Sequence, residues 1–183
     1  MSQLKVNSIV PTGGVSSGAN GGIIQVIQKE VTQTGSISLS SNGYNSLGGN
    51  FAVSITPRSS SSKILLLGML NGEFGGLAVL YKSCCAFTRN GSEIFNGESP
   101  SVKAHGYGGW ADNYHNDASN TMEGKEFMYL DSPNTTSQVT YQMGIHCGNQ
   151  SGTFYYNRNV SGTDSEARQR AVSTVIAMEV SPA

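Results

Sequence analysis

Short stretches of alternating apolar and polar residues run through the chain, and the clearest lies within residues 51–70. Phe51, Val53 and Ile55 alternate with small or polar residues, which is the period-two pattern of a strand with one buried face. Pro57 follows and lacks the N–H that a strand ladder needs, so the strand is expected to end there. The serines at 59–62 have nothing to bury and predict an exposed turn.

The run at 63–70 is apolar at nearly every position, which favours a strand covered on both faces. The sequence therefore predicts a hairpin that joins a half-buried strand to a fully buried one. In this hairpin we expect Leu66 to be fully buried and Ser60 to be exposed. The run is too short to span a bilayer.

The rest of the chain repeats this pattern of short apolar stretches separated by turn residues. Together with the hairpin, it predicts about nine strands, at 23–27, 31–39, 51–55, 63–70, 77–88, 125–130, 138–147, 153–156 and 170–180. Five Asn-Gly pairs, which favour tight hairpin turns, begin at Asn20, Asn42, Asn71, Asn90 and Asn96. No convincing helix is expected beyond one polar turn at 164–169. These features indicate an all-β fold, an antiparallel β-sandwich or jelly roll, over residues 23–183.

Residues 1–22 differ from this domain in composition. They hold a short apolar alternation, Leu4, Val6, Ile9 and Val10, followed by glycine and serine. Such a stretch cannot bury enough surface to offset its ordering entropy. We expect an extended N-terminal arm that attaches the domain to another protein, with the four apolar residues as candidate docking positions.

Composition and charge indicate which partners and surroundings are not expected for this chain. Charged residues are only 13% of the 183 residues and the formal net charge is −1, so the charge distribution gives no reason to expect a nucleic-acid partner. No signal peptide or membrane-spanning stretch is recognised, and membrane insertion is not expected. Cys84, Cys85 and Cys147 lack a disulfide-framework spacing and are interpreted as small buried hydrophobic side chains.

Four stretches, taken in order, resemble a module of surface proteins from marine and cyanobacterial bacteriophages, notably the ends of tail fibres. They are residues 4–7 with 21–26, 53–57 with 61–65, 130–137 with 140–141, and 152–158 with 173–174 and 178–179. The resemblance implies a homotrimeric β-structured fibre tip or virion knob. It also implies assembly with tail or capsid proteins in the host cytoplasm and a final location on the virion surface.

Two non-enzymatic functions follow from this resemblance. The first is a short tail fibre or fibre tip that contributes to host attachment. The second is a capsid decoration or knob protein, docked through its N-terminal arm, with no receptor role. The aromatic loop described next favours the first, and the lack of a long fibrous shaft favours the second.

The stretch at 105–117 is rich in aromatic, histidine and acidic residues spaced by glycine, which predicts a long loop. Aromatic faces beside carboxylates and amides suit a surface glycan or receptor. The candidate ligand-binding residues are Tyr107, Trp110, Asp112, Asn113, Tyr114 and His115. The alternative is that the aromatic rings close the end of the sandwich or a subunit interface.

Enzymatic chemistry is not expected. His105, His115, Asp112 and Asp117 lack a recognised metal-binding spacing, so we expect neither a metal nor another cofactor. No nucleophile motif, phosphate-binding loop or dinucleotide fingerprint is recognised.

Overall fold

The computed structural model describes residues 22–95, 97–98, 103–110, 121–162 and 169–181. Within these ranges the chain forms two antiparallel sheets that pack face to face, which confirms the all-β sandwich. The predicted arm at 1–22 lies outside the described residues, apart from Gly22. No helix among the described residues has the length and hydrophobicity required to traverse a bilayer.

The first sheet, sheet A, is built around one long strand, β5. Its path is β1-β12-β5-β11-β2, and β9 pairs with the other edge of β5. The strands are β1 (Ile23–Val31), β2 (Gly35–Leu39), β5 (Lys63–Phe74), β9 (Glu123–Asp131), β11 (Gly152–Tyr156) and β12 (Ser173–Val180). Because β5 has twelve residues, β12 pairs with its first half and β11 with its end.

The second sheet, sheet B, is organised around β10. Its path is β3-β10-β6-β7, with β4 also paired to β10 and β8 to β6. The strands are β3 (Gly43–Ser46), β4 (Ala52–Ile55), β6 (Ser83–Arg89), β7 (Ser92–Ile94), β8 (Gly108–Gly109) and β10 (Val139–Cys147). A 3-10 turn at Gly49–Phe51 leads into β4.

The core fills the space between β5 and β10. Leu66 on β5 is fully buried, as predicted, and so are Tyr141 and Met143 on β10. At the buried Gly68, a Cβ would fall 2.6 Å from the Phe127 ring and 2.8 Å from the Met143 sulfur. Only glycine fits at that point without moving its neighbours.

The stretch at 51–70 is not the hairpin that the sequence predicts. Its first strand, β4, belongs to sheet B, whereas β5 belongs to sheet A, so the segment between them crosses the sandwich. Ser60 is exposed as expected, but Ser62 is buried. A buried carboxylate explains part of this path, since the Arg58 backbone N–H donates to Glu179 Oε1 on β12 at 2.7 Å.

The strand β5 is also covered on one face only. Ile64, Leu66 and Leu70 point into the core, while Leu65 and Leu67 on the other face are partly exposed. The same holds for β12, where Ser173, Val175, Ala177 and Glu179 are buried and Ile176 lies on the partly exposed face. The prediction of a doubly covered strand is therefore wrong within this chain.

Two further predictions need correction at the level of elements. The region 77–88 was expected to be one strand, but Leu77–Leu80 forms a single helical turn before β6. The region 31–39 is split after Val31, because the buried Asn157 side chain donates to the carbonyl oxygens of Val31 and Gln33.

The Asn-Gly pairs serve different purposes. Asn90 and Gly91 both have positive φ and form the tight turn between β6 and β7, as predicted. Asn42 also has positive φ, immediately before β3. The pair at Asn71 instead lies inside β5, where its backbone and side chain bond to the start of β12. Asn20 and Asn96 lie outside the described residues.

Candidate functional sites

The predicted aromatic loop is described in part, and its tryptophan belongs to the core. Trp110 follows β8 and is 0% exposed. Its ring packs edge-on against Phe74, with ring centroids 5.2 Å apart, and contacts Phe154. The indole is therefore packed inside the domain.

Tyr107 is also engaged within the domain. Its ring stacks on Tyr129 of β9, with centroids 4.5 Å apart, and its hydroxyl donates to the Ile94 carbonyl at 2.6 Å. Burial raises the pKa of this phenol above its usual range. The other candidates lie outside the described residues: Asp112, Asn113, Tyr114 and His115 in the loop, and Leu4, Val6, Ile9 and Val10 in the arm.

A histidine–glutamate cluster, made of Glu93, His105 and His146, lies on the side of sheet B that faces away from the core. His146 is on β10 and Glu93 is on β7. Strand β6 lies between them and pairs with both β7 and β10. His105 lies between β7 and β8, and its ring stacks on Phe95 with centroids 4.9 Å apart. Three separate segments therefore contribute to one cluster.

The three side chains approach one another closely. His105 Nε2 is 3.5 Å from Glu93 Oε1, and His146 Nε2 is 3.9 Å from Glu93 Oε2. The centroids of the two imidazole rings are 3.7 Å apart. One donor atom from each residue can be chosen so that all three atoms lie within 4.8 Å of one another.

The cluster is shielded from solvent, which shapes its charge state. Burial, together with the neighbouring His105, lowers the pKa of His146 to about 4. Burial also raises the pKa of Glu93, although attraction to His105 partly offsets this. A neutral His146 keeps an unprotonated ring nitrogen, which is the form that ligates metals.

Polar atoms of this cluster remain unpaired among the described residues. Glu93 Oε1 and the Nδ1 atoms of His105 and His146 are buried there without a hydrogen-bond partner. Buried polar atoms of this kind are uncommon and call for a physical explanation.

The second notable surface is the outer apolar face of sheet A, formed by side chains that alternate with the core residues. Across the sheet, Met178 is paired with Val26 and Leu65, and Leu65 is paired with Leu130. The next row brings together Ile176, Leu67 and Met128. The face consists of Val26, Leu65, Leu67, Met69, Met128, Leu130, Ile176 and Met178.

The members of this face at its two edges are the most exposed. Met128 is 65% exposed, Val26 50% and Leu130 45%. A shallow groove of about 520 Å³ runs along the face, lined by Leu67, Met69, Met128 and Ile176 among others. An exposed contiguous apolar surface of this kind marks an interaction site more often than chance.

The three thiols are free, and their burial agrees with the sequence interpretation for two of them. Cys85 and Cys147 are buried, and burial raises the pKa of each thiol. Cys84 is only partly buried.

Sequence reasoning missed both surfaces. Glu93 and His146 are far apart in the chain and carry no recognisable spacing, and only the register of β6, β7 and β10 brings them together. The apolar face did leave a signal, since Met128 and Leu130 alternate with the inward-facing Phe127 and Tyr129.

Comparisons with known proteins do not identify the chain. No protein-family model matches it, and no curated protein matches it. Among solved structures, it is similar to a chain described as "Structure of infectious bursal disease virus Gx strain", at 10% identity and a TM-score of 0.31. That match covers 97% of this chain and 44% of the viral chain, so this chain spans less than half the length of its structural neighbour.

Proposed function

We propose that this protein is a structural subunit of a bacteriophage virion that assembles as a homotrimer through the outer apolar face of sheet A. The resemblance of its sequence to phage surface modules supports the virion setting, and the β-sandwich fold is compatible with it. The observation that carries the assembly role is the exposed apolar face itself.

The energetics of that face favour burial in an assembly. Fully burying a side chain such as Met contributes about 1.5–3 kcal/mol, so covering the exposed part of Met128, which is 65% exposed, contributes on the order of 1–2 kcal/mol. The eight members lie side by side over four paired strands, β1, β12, β5 and β9, so they form one continuous surface that neighbouring copies can cover together. Several such contributions add up to a specific association.

A second copy of the chain is the occupant that the surface favours. The centre of the face carries no charge, so two copies meet without electrostatic repulsion. Its rim carries both signs, with Lys63 at one end and Glu30 and Glu126 at the other. A rim with both signs allows complementary pairing between copies. The number three comes from the phage resemblance.

Attachment to the particle is assigned to the arm at residues 1–22, with other tail or capsid proteins as partners. The finer proposal is a short tail fibre or fibre tip that contributes to host attachment through the loop at 112–115. The internal packing of Tyr107 and Trp110 favours the alternative of a decoration or knob protein, because these two rings are used inside the domain.

Sedimentation of the purified protein tests the assembly. We expect a species of about three times 19.3 kDa at micromolar concentration. Met128→Glu and Leu130→Glu are each expected to weaken association roughly 100-fold or more, because burying an unpaired carboxylate costs several kcal/mol.

Tyr81→Glu is the matched control for these variants. Tyr81 is also a large exposed side chain, at 51%, but it lies outside the outer apolar face, so the same charge there should leave the trimer intact. A monomeric parent protein would overturn the proposal, as would a trimer that persists in both Met128→Glu and Leu130→Glu.

A further inference from the structure

We propose that Glu93, His105 and His146 form a binding site for one divalent transition-metal ion of the zinc type. The site is distinct from the outer apolar face, which belongs to the other sheet. It does not depend on the proposed function.

The spacing of the donor atoms supports this assignment. Ligands bound tetrahedrally at about 2.1 Å from zinc lie roughly 3.4 Å from one another. The carboxylate-to-imidazole distances in the cluster are 3.5 and 3.9 Å. These distances go to the two different oxygens of Glu93, and one donor atom of each residue can be chosen so that all three lie within 4.8 Å, so ligation requires the side chains to draw closer together.

The type of donor selects the type of metal. Two imidazole nitrogens and one carboxylate favour zinc and its first-row neighbours, whereas magnesium and calcium prefer oxygen ligands throughout. Three protein ligands leave a fourth position for water or another small ligand.

An ion at this position would also pair one of the buried polar atoms of the cluster. Two imidazole rings 3.7 Å apart beside a carboxylate keep buried polar atoms unpaired among the described residues. Metal ligation would satisfy Glu93 Oε1. It would also fasten His105, which lies between β7 and β8, to β7 and β10. The ion would thus act as a structural staple on the outside of sheet B.

The test uses the full chain, freed of metal with a chelator and titrated with zinc in a calorimeter. We expect one zinc per chain with a dissociation constant in the micromolar range or tighter, and a higher melting temperature in the zinc-bound protein. Magnesium at the same concentration should produce neither effect. Substitution by cobalt should give the visible absorption of a low-coordinate nitrogen and oxygen site, without a thiolate charge-transfer band.

Glu93→Gln and His146→Asn are each expected to weaken zinc binding at least tenfold. Circular dichroism of each variant would show whether its fold is retained, and the cobalt spectrum of the parent tests the site without any substitution. Cys84→Ser is the matched control, since it removes the partly buried thiol that is paired with His146 across β10 and β6. This control should bind zinc as the parent does.

Three outcomes would overturn the assignment. They are the absence of zinc binding by the folded parent, unchanged affinity in both Glu93→Gln and His146→Asn, and a thiolate band in the cobalt protein that Cys84→Ser abolishes.

Discussion

At the scale of single residues, Leu66 and Ser60 are near each other in sequence but differ completely in surroundings. Leu66 lies at the middle of β5 between Ala177 and Tyr129 and is 0% exposed, whereas Ser60 is exposed in the segment that crosses between the sheets. We expect Leu66→Ala to lower the free energy of unfolding by about 2–5 kcal/mol, because it leaves a cavity in the core.

Ser60→Ala is the matched control and should change the free energy of unfolding by less than about 0.5 kcal/mol. Thermal or denaturant unfolding of both variants beside the parent measures the difference. Equal losses in the two variants would show that the crossing segment is packed as tightly as the core.

The sequence predicted the burial of Leu66 correctly because a run of apolar residues reports directly on the hydrophobic effect. It failed at Ser62, which is buried although serine is usually exposed. The position of Ser62 is dictated by the crossing from sheet B to sheet A, and no local pattern encodes that crossing.

At the scale of elements, Asn157 holds the ends of several strands together. Its buried side chain donates to Val31 and Gln33 and accepts from the Ser173 hydroxyl at 2.6 Å. Its backbone N–H donates to the Asn71 carbonyl at 2.8 Å. The amide therefore links the end of β1 and the start of β12 to the segment after β11.

Asn157→Ala is expected to lower the free energy of unfolding by about 2–4 kcal/mol, because it leaves the Val31 and Gln33 carbonyl groups without their hydrogen-bond donor. Asn134→Ala is the matched control: Asn134 has a similar positive φ, 52° against 58°, but is exposed in the turn after β9. Chemical denaturation of both variants measures the free energy of unfolding and separates the contribution of the hydrogen bonds from that of the positive φ. Equal losses in the two variants would assign the effect to backbone conformation alone.

The elements themselves were largely predictable, and their partners were not. Period-two patterns located most of the strands, and the pair at Asn90 gave the correct hairpin. The pair at Asn71 was misleading because its asparagine serves the Ser173 and Val172 contacts inside a long strand. Local turn propensity is weak compared with the ladder and side-chain hydrogen bonds of a long strand, so tertiary context decided the outcome.

At the scale of the whole molecule, the pattern in β5 was interpreted as burial on both faces, and the isolated chain covers only one. An apolar run reports that a surface favours exclusion from water, but it does not report which molecule excludes it. Met128 and Leu130, which are exposed on the neighbouring strand β9, extend the apolar face that begins with the run in β5. Likewise, the histidine–glutamate cluster depends on the pairing of β7, β6 and β10, which brings His146 to Glu93 and His105 and which composition and spacing do not reveal.

The N-terminal arm, residues 1–22, precedes the first strand of the described fold. The described fold begins at Gly22, whose carbonyl accepts from the Ser181 N–H at 2.9 Å, and β1 then pairs with β12 as far as Val31. A chain truncated to begin at Gly22 keeps all these contacts. We expect its melting temperature to stay within about 2 °C of the parent, since a shift of that size in a domain of this length corresponds to less than about 1 kcal/mol.

The same truncated chain is expected to remain trimeric, because every member of the outer apolar face is retained, and to fail to enter particles, because the arm is assigned to docking. Co-purification with assembled virions, beside the full chain, measures incorporation. The full-length variant Val6→Ser is a second test. It alters one candidate docking residue without shortening the chain and should also reduce incorporation. Normal incorporation of the truncated chain would contradict the docking role, and loss of the trimer would show that the arm, and not sheet A, holds the copies together.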